Sequence, residues 1–493
     1  MNTNNNKITK RCTLAGLLVM LLFLTNCHKK GAAEPPELSV SPAEINLPSG
    51  GGTADLTING NAQWSISNAA AWLQVSKTTG NSGSSTIQLT ATYNTTGASR
   101  STILTVSADN GQARRVTVSQ PSQMYPSYNV SPKAAESTGM SSNAVQLAAK
   151  IKLGWNLGNT LEAIGSETAW GNPLTTKALI DQVKQSGFNA VRLPCSWDQY
   201  ADQSTAKIKD QWLDRVKQVV QYCVDDSLYV LLNIHWDGGW LDGHIDAKGQ
   251  DSVNAKQQAF WEQIATKMRD FDEHVLFASA NEPPVDDATK MGILLSYHQT
   301  FINAVRSTGG KNAYRVLVVQ GPATDIDKTT TLMNTLPTDA AANRMMIEVH
   351  YYGPFQFCGL TSDASWGSMY YYWGNGYHST TDVSRNASWG EESYVVPEFQ
   401  KMKTKFIDKG IPVLLGEYGA IRRTTLTGSA LTLHLASRAY WMKYITQQAK
   451  ANGFLPFYWD EGSIGNNGFG IINRQNNTVG DQQALDALIQ GMQ

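Results

Sequence analysis

The feature that most constrains the fold is a repeating pattern from about residue 139 to the C-terminus. Short apolar runs alternate there with longer segments whose apolar residues recur at helical spacing, as Phe260, Ile264 and Met268 do. This alternation is typical of parallel β-strands joined by helices. The candidate strands read KLGWNLGN, NAVRLP, LYVLLNIH, VLFASANE, RVLVVQG, MMIEVHYY, IPVLLGEYG and FLPFYWD.

Eight such strands within residues 139–493 predict an α/β fold, a (β/α)8 TIM barrel with inserted loops. A doubly wound open sheet is the alternative. The barrel is favoured because nearly every run ends in polar or aromatic residues, and the C-terminal strand ends of a barrel meet at one face. The strand-end residues that we expect to share this face are Asn156, Asn159, Arg192, His235, Asn281, Glu282, His350, Tyr352, Glu417 and Trp459.

Two of these residues are carboxylates on different strands. Glu282 closes the fourth candidate strand and Glu417 the seventh. A carboxyl pair about 5–5.5 Å apart can perform retaining glycoside hydrolysis, in which one group donates a proton and the other attacks as an anion. Arg192 and Tyr352 are candidates to hold one of the two ionised. Taken singly, a Glu at a strand end is more often a cap or a surface group.

The strand-end motifs together resemble glycoside hydrolase family 5, over essentially all of residues 139–493. The matching motifs are Val191-Arg192-Leu193-Pro194, Asn233-Ile234-His235, Asn281-Glu282-Pro283, His350-Tyr351-Tyr352, Gly416-Glu417-Tyr418-Gly419 and Tyr458-Trp459-Asp460. The resemblance implies a retaining enzyme with Glu282 as the general acid/base and Glu417 as the nucleophile.

The same resemblance implies supporting roles for the neighbouring residues. Asn281 would bind the 2-hydroxyl of the sugar at the cleavage point, and Trp459 would stack beneath that sugar. Arg192 and Tyr352 would position Glu417. Two histidines, His235 and His350, would line the site. No metal-binding or nucleotide-binding motif is present, so we expect neither a metal nor another cofactor.

The substrate is indicated by the loop after the first strand. Gly154–Glu162 and Trp170-Gly171-Asn172-Pro173 are similar to the endo-β-1,4-glucanase branch of the family, so Asn159 and Trp170 become candidate substrate contacts. The resemblance implies an endo-acting β-1,4-glucanase for xyloglucan, mixed-linkage β-glucan or cellulose. A mannanase of the same family is one alternative, and a non-catalytic glycan-binding lipoprotein is another.

Two further tryptophans are candidate subsite residues. Many similar proteins carry two consecutive His after the third strand, whereas in this chain His235 is followed by Trp236. Trp240 lies four residues farther along the same loop. Trp366 lies in a long aromatic connection between Gly353 and Trp389, where it would line the leaving-group side of an open cleft. The alternative is a loop folded on its own aromatic core.

Residues 37–121 carry a different pattern, with period-two alternation and Gly, Asn and Ser clusters between short runs. This predicts an all-β immunoglobulin-like sandwich of about seven strands. Trp64-Ser-Ile-Ser, Trp72-Leu-Gln-Val-Ser and Ser101-Thr-Ile-Leu-Thr-Val resemble the BACON domain of Bacteroidetes secreted proteins. Its role would be a spacer or a carbohydrate-binding module. The Pro-containing stretch 122–138 is predicted to be a linker.

The N-terminus resembles a bacterial lipoprotein signal. Basic residues precede an apolar run from Leu14 to Leu24, which is too short to span a bilayer. Leu24-Thr25-Asn26-Cys27 resembles a lipobox, so residues 1–26 would be removed and Cys27 lipidated. We therefore expect an exported protein anchored to the outer membrane only through its lipid. A secreted protein with a free thiol is the alternative.

Charge and cysteine content exclude several other classes. Lys and Arg together number 40 and Asp and Glu 41, with no long run of either sign, so nucleic acid is not an expected partner. Beyond Cys12 and Cys27 the chain has Cys195, Cys223 and Cys358, an odd number without zinc-site spacing. We expect a monomer whose partner is a β-glucan chain.

Overall fold

The computed structural model describes residues 35–94, 96 and 98–493, so the predicted signal peptide and Cys27 lie outside the described residues. The chain divides into two compact units. One is built mainly from residues 53–91 and 101–119, and the other contains residues 120–493. Within the described residues, no helix is both long enough and apolar enough to cross a bilayer.

The N-terminal region contains two β-sheets. The nine strands are β1 (Leu38–Ser41), β2 (Glu44–Asn46), β3 (Gly52–Gly60), β4 (Trp64–Ser67), β5 (Leu73–Val75), β6 (Thr79–Gly80), β7 (Gly83–Ala91), β8 (Arg100–Ala108) and β9 (Ala113–Gln120). The strand orders are β1-β3-β7-β5 and β2-β9-β8-β4-β6. The sandwich is confirmed, with nine strands among the described residues where about seven were predicted, since β2 and β6 are strands of only three and two residues.

Alternating side chains of these strands form the sandwich core. Leu56, Ile58, Leu104 and Val106 are fully buried at every second position, while their neighbours face outward. Trp64 is also buried, so its ring belongs to this core and not to the surface.

Residues 139–493 form a closed barrel of eight parallel strands, which confirms the TIM barrel and excludes the open sheet. Every candidate strand is found. Barrel strands 1 to 8, as we call them in chain order, are Gly154–Leu157, Ala190–Leu193, Tyr229–Asn233, Val275–Ala278, Leu317–Gln320, Met345–Tyr351, Val413–Tyr418 and Phe454–Asp460.

One short helix precedes the first barrel strand, and the other helices lie between or after the strands. The helices are α1 (Ala144–Ala148), α2 (Lys177–Gln185), α3 (Asp210–Asp225), α4 (Gln250–Met268), α5 (Ala288–Ser307), α6 (Ile326–Leu332), α7 (Phe355–Cys358), α8 (Glu392–Lys405), α9 (Gly428–Asn452) and α10 (Gln482–Gly491). The apolar stripe of α4, which includes Phe260 and Ile264, is buried against the barrel as predicted.

The segment predicted as a linker, 122–138, is bound to the barrel. The carboxylate of Glu262 on α4 is fully buried and accepts hydrogen bonds from the backbone N–H groups of Tyr128 (2.6 Å) and Asn129 (3.0 Å) and from the Ser127 hydroxyl (3.0 Å). Lys133–Ala135 then pairs with Gly309–Gly310. A buried carboxylate needs such partners, so Glu262 holds this Pro-containing stretch against α4.

Candidate active site

Glu282 and Glu417 approach each other at the C-terminal face of the barrel. Glu417 lies inside barrel strand 7, and Glu282 lies just beyond the end of barrel strand 4. An oxygen of one lies no more than 4.8 Å from an oxygen of the other. This spacing suits the carboxyl pair of a retaining glycosidase, whereas inverting enzymes keep the two groups about 6.5–9.5 Å apart. Glu417 is buried, while the side chain of Glu282 is 46 % exposed.

Irregular strand pairing helps to bring these residues together. His350 in barrel strand 6 pairs with Glu417 in barrel strand 7, and the register shifts between Val349 and His350. A bulge of this kind re-aims side chains and is common beside active sites. It places the imidazole of His350 next to both carboxylates.

Glu417 is held by two donors, one from barrel strand 2 and one from the residue just after barrel strand 6. Nη1 of Arg192 donates to Oε1 of Glu417 at 2.7 Å, and the hydroxyl of Tyr352 donates to Oε2 at 3.0 Å. The buried guanidinium of Arg192 also donates to Oδ1 of Asn156 at 3.0 Å and to Oδ1 of Asn281 at 2.8 Å. One arginine therefore fixes the nucleophile candidate and the amide expected to bind the sugar 2-hydroxyl.

His350 connects the two carboxylates. Its Nδ1 lies 2.7 Å from Oε1 of Glu282 and 3.7 Å from Oε2 of Glu417. Burial lowers the pKa of His350, but the charges of Glu417 and Glu282 and the contact with Glu348 outweigh it and raise that pKa to about 9. The imidazole is therefore a cation at neutral pH and donates to Glu282.

The pKa values of the two carboxylates are shifted in opposite directions. A protonated acid and an ionised nucleophile would be favoured by a raised pKa for Glu282 and a lowered one for Glu417, and the free site shows the reverse. Burial raises the pKa of Glu417, against the opposing charges of His350 and Arg192 and the hydrogen bond of Tyr352. Burial also raises the pKa of Glu282, but the hydrogen bond and charge of His350 more than offset it, so that pKa lies below its usual value. The proton closest to Glu282 is therefore carried by His350.

His235 and Trp459 form a second part of the site. Their rings are nearly parallel, with centroids 6.0 Å apart. Burial, with the charges of Arg192 and His350, keeps the pKa of His235 well below its usual value, so its ring is neutral. Trp459 packs closely over Gly158, where an added Cβ would lie 2.9 Å from the indole. The absence of a side chain at 158 lets the indole approach the backbone of the first loop.

The first loop is shaped by a buried acid. The carboxylate of Glu162 accepts the backbone N–H groups of Asn159 and Thr160, and Asn159 adopts a left-handed backbone with φ of 55°. Burial raises the pKa of Glu162 to about 7 although these N–H groups oppose the shift. The Trp170 side chain farther along the loop is 46 % exposed. Trp170 is thus free to meet a ligand.

Trp240 does not face solvent as a subsite residue would. Its ring is 9 % exposed and packs edge-on against Phe260, and its Nε1 donates to Oδ2 of Asp237 at 2.9 Å. Asp237 also accepts the Ser196 hydroxyl at 2.7 Å, which ties the loops after barrel strands 2 and 3 together. The exposed ring of this loop is Trp236, at 51 %. The structure assigns Trp240 a packing role because its indole N–H is needed by a buried carboxylate.

Trp366 lies at the tip of a small hairpin in the long connection after barrel strand 6. Ala364 and Gly367 exchange two backbone hydrogen bonds across the turn, and Trp366 is 60 % exposed beside Phe355, with ring centroids 6.4 Å apart. The base of the hairpin is held by the ion pair between Arg385 and Asp363. The rest of the connection does contain an aromatic core, since Tyr372 and Trp373 are buried. The alternative of a loop folded on its own aromatic core thus holds for these two residues, while the placement of Trp366 along a cleft stays a prediction.

Glu348, which the sequence analysis did not single out, lies directly beneath the site. It is fully buried in barrel strand 6, with Oε1 at 2.9 Å from Nε of Arg192 and 3.3 Å from Nε2 of His350. Gln320 on the neighbouring strand donates to its Oε2 at 2.5 Å. The sequence did contain a signal for Glu348. It is a charged residue inside the apolar run MMIEVHYY, and it lies two positions before His350 and hence on the same face of the strand.

Within the described residues, one set of three acidic or imidazole groups could hold a metal ion, namely Glu282, His350 and Glu417. Its imidazole nitrogen Nδ1 is already engaged with Glu282. The absence of a metal requirement stays a prediction. Cys195, Cys223 and Cys358 are free and buried.

A closed parallel barrel with two carboxylates at this spacing on its C-terminal face defines a glycoside hydrolase. The family model described as "Cellulase (glycosyl hydrolase family 5)" matches residues 156–464. The chain belongs to glycosyl hydrolase family 5. The BACON domain model matches residues 62–121, within the sandwich.

The chain is similar to several characterised members of this family. It is 35 % identical over 471 residues to the "Xyloglucan-specific endo-beta-1,4-glucanase BoGH5A" of Bacteroides ovatus, covering 90 % of this chain and 91 % of that protein. A solved B. ovatus GH5 xyloglucanase in complex with a XXXG heptasaccharide superposes with a TM-score of 0.69 at 32 % identity, over 92 % of this chain and 100 % of the other.

A second solved structure matches the barrel. XEG5B, a xyloglucan-specific β-1,4-glucanase from a ruminal metagenomic library, is 40 % identical with a TM-score of 0.66, over 71 % of this chain and 96 % of the other. These relatives and the site together make the protein a GH5 endo-β-1,4-glucanase.

Proposed function

We propose that this protein cleaves xyloglucan internally, with Glu417 as nucleophile and Glu282 as acid/base. The observation that carries the residue roles is the spacing of the two carboxylates, within 4.8 Å, with Arg192 and Tyr352 bonded to Glu417. The substrate is supported by the relatives described above, which are named for xyloglucan. Mixed-linkage glucan and cellulose are the next candidates, followed by mannan.

In the first step an oxygen of Glu417 attacks the anomeric carbon of the bound glucosyl unit. The glycosidic bond breaks as its oxygen takes a proton from Glu282, and a covalent glycosyl-enzyme forms. In the second step Glu282 accepts a proton from a water molecule, whose oxygen attacks the same carbon and releases Glu417. Arg192 and Tyr352 each donate to one oxygen of Glu417, and these two hydrogen bonds fix the orientation of the carboxylate for this attack.

The proton for the first step is held jointly by Glu282 and His350. In the free site the cationic imidazole carries it, 2.7 Å from the carboxylate of Glu282. A glucan chain that covers the half-exposed Glu282 removes water from it, and desolvation favours the neutral carboxyl. The proton then moves to Glu282 when it faces the leaving oxygen.

The exposed aromatic rings support recognition of a polymer. Trp170 and Trp366 lie on different loops of the barrel and present large apolar faces to solvent. A pyranose ring offers an apolar C–H face to such a surface, so each ring can stack on one unit of a glucan. We assign Trp366 to the leaving-group side and Trp459 to the sugar that is cleaved.

The remaining parts of the chain have proposed roles of their own. We assign the sandwich the role of a spacer, which the burial of Trp64 in its core favours over a sugar-binding role for that ring. Residues 1–26 direct export, and Cys27 carries the lipid that anchors the enzyme to the outer membrane. Metabolic labelling with a fatty acid tests this, since Cys27→Ser must abolish the label if Cys27 is its site.

Activity measurements on defined polysaccharides test the proposed substrate. Reducing-sugar release by the full chain is compared on xyloglucan, barley β-glucan, carboxymethylcellulose and glucomannan. We expect the highest kcat/KM on xyloglucan and a loss of several orders of magnitude in Glu282→Ala and Glu417→Ala. Preference for glucomannan would transfer the proposal to the mannanase alternative.

Covalent trapping separates the two carboxylates. A 2-deoxy-2-fluoro cellobioside with a dinitrophenolate leaving group needs no acid to form the glycosyl-enzyme, so the adduct accumulates on the nucleophile. Peptide mass analysis is expected to find it on Glu417. An adduct on Glu282 would reverse the two roles.

A further inference from the structure

Glu348 is a third carboxylate in the site, one layer below the two that face the substrate. Its fully buried side chain contacts both cations of the site, Nε of Arg192 at 2.9 Å and Nε2 of His350 at 3.3 Å. Arg192 in turn donates hydrogen bonds to Glu417 and Asn281, and His350 is hydrogen-bonded to Glu282. The two cations that contact the reacting carboxylates are therefore both in contact with the same buried anion, Glu348.

The surrounding structure is built to hold Glu348 in place. Gln320 is its strand neighbour and donates to Oε2 at 2.5 Å, and the amide of Gln320 is itself fixed because its Oε1 accepts the backbone N–H of Ala280 at 2.9 Å. On the other side lies Gly416, where an added Cβ would sit 2.0 Å from Oε1 of Glu348. The glycine before the nucleophile thus leaves the space that the carboxylate fills.

The surroundings of Glu348 favour its anionic form: burial raises its pKa, but the charge of Arg192 and the contact with His350 outweigh burial and lower that pKa below its usual value. Arg192 and His350 are two cations in a buried region, and Glu282, Glu417 and Glu348 are the acids that face them. Tyr352 and neutral His235 also lie near them, and Asp242, whose pKa is raised to about 7 by burial and by the charge of Glu282, faces the Glu282 side. A buried cation without a counter-charge is costly, so loss of the Glu348 charge would favour loss of the His350 proton.

We propose that Glu348 is a positioning residue that keeps the shared proton in the Glu282–His350 pair and aims His350 at Glu282. The carboxylate acts through His350 and Arg192 and touches neither substrate nor reacting atoms. This rests on the acid/base role proposed for Glu282. The further element is that Glu348, by contacting Nε2 of the ring whose Nδ1 contacts Glu282, determines the pH above which activity is lost.

The ring titration of His350 tests the inference without using activity. NMR of the full chain with ring-labelled histidine, assigned with His350→Gln, gives the pKa of His350 in the parent and in Glu348→Gln. We expect it to fall by one unit or more in Glu348→Gln, because the isosteric amide keeps the shape and removes the charge. Asp481→Asn is the matched control. Asp481 is also a buried acid, and its Oδ2 lies 2.7 Å from Nη1 of Arg438, outside the site. This variant must leave the His350 titration unchanged.

Activity supplies the second readout. The alkaline limb of kcat/KM on xyloglucan is expected to move to lower pH in Glu348→Gln, by the same amount as the ring pKa. The loss at neutral pH is expected to be larger for a poor leaving group than for a dinitrophenyl glycoside, which needs little acid assistance. Equal losses for both substrates with an unshifted limb would leave only a packing role.

Two outcomes overturn the inference outright. One is a folded Glu348→Gln whose His350 pKa equals that of the parent. If Glu348→Gln does not fold, Glu348→Met takes its place, since it also removes the charge at a similar side-chain length, and an unchanged ring titration there has the same meaning. Failure of Glu282 as the acid is distinguished from these outcomes, because the ring titration does not depend on which residue performs catalysis.

Discussion

Nη1 of Arg192 lies 2.7 Å from Oε1 of Glu417, and both side chains are buried. Arg192 comes from barrel strand 2 and Glu417 from barrel strand 7, so the contact crosses the mouth of the barrel. The same guanidinium reaches Asn156 and Asn281. Its planar fork is matched to several acceptors at once, which an ammonium group cannot reproduce.

Arg192→Lys is therefore expected to lower kcat/KM by about 10²–10³, the usual cost of removing one preorganised donor from a charged reacting group. The charge is retained but the contacts to Glu417 and Asn281 cannot both be made. Steady-state kinetics on xyloglucan measure this. Arg215→Lys, which alters an ion pair with Glu167 elsewhere on the barrel, is the control and should change kcat/KM less than twofold. Comparable kinetics for the two variants would contradict a role of Arg192 in positioning Glu417.

Much of this site could be predicted from the sequence because a barrel fixes where strands end. The runs that end in Arg192, His350 and Glu417 are strands in the structure, and a TIM barrel brings such ends to one face whatever their separation along the chain. The general arrangement thus follows from periodicity alone. The contacts between individual atoms do not, since they depend on register shifts such as that at His350.

Tyr352→Phe tests one hydrogen bond on the nucleophile. The Tyr352 hydroxyl donates to Glu417 at 3.0 Å and thereby lowers the Glu417 pKa. Its removal is expected to raise that pKa, so the acidic limb of the pH profile of kcat/KM moves to higher pH. A hydrogen bond to a charged group contributes about 1.5–3 kcal/mol, so activity at the optimum should fall by about 10–100-fold.

The neighbouring tyrosine provides a matched control for this variant. Tyr351 is buried, and its hydroxyl has no hydrogen-bond partner within the described part of the chain. Tyr351→Phe removes the same atom and should leave the acidic limb where it is. A shift of equal size in both variants would show that the effect is not transmitted through Glu417.

The His350 cation makes stability depend on pH. Its folded pKa of about 9 exceeds the unfolded value of about 6.5. A group whose pKa is raised by folding contributes stability that is fully present below the unfolded pKa and is lost as the pH rises through the folded pKa. The contribution is on the order of 3 kcal/mol and should disappear between about pH 6.5 and 9.

Urea unfolding of the parent and of His350→Gln at pH 6 and at pH 9.5 measures this contribution. The difference in free energy of unfolding between the two proteins should be larger at pH 6 and shrink at pH 9.5. A difference that is independent of pH would mean that His350 is neutral in the folded protein.

The barrel should need the segment before residue 139 for full stability. Glu262 accepts the backbone N–H groups of Tyr128 and Asn129 inside the protein, and its removal leaves buried donors without an acceptor. Glu262→Ala is expected to cost about 2–4 kcal/mol of unfolding free energy in urea. Glu136→Ala, at an exposed position of the same segment, is the control. Equal stability of the two variants would show that the segment contributes nothing.

Some features could not be read from the sequence because they depend on which way a side chain turns. Trp240 and Trp366 are both tryptophans in loops at the C-terminal face, yet one donates to buried Asp237 and the other is exposed. In α9 the apolar residues Leu431 and Leu435 are only partly buried, whereas Trp441 of the same helix is fully buried. Polar partners inside the fold decide these orientations.

Trp366→Ala tests the leaving-group side of the cleft. The exposed indole beside Phe355 is expected to stack on a glucosyl unit beyond the cleaved bond, and its loss should raise KM for xyloglucan by about tenfold, equivalent to about 1.4 kcal/mol. An aryl cellobioside has no sugar on that side, so its kinetics should not change. Trp389→Ala, which removes another exposed indole from the same connection, is the control. If the aryl cellobioside is affected as much as the polymer, Trp366 belongs to the other side of the cleaved bond, because only there do both substrates place a sugar.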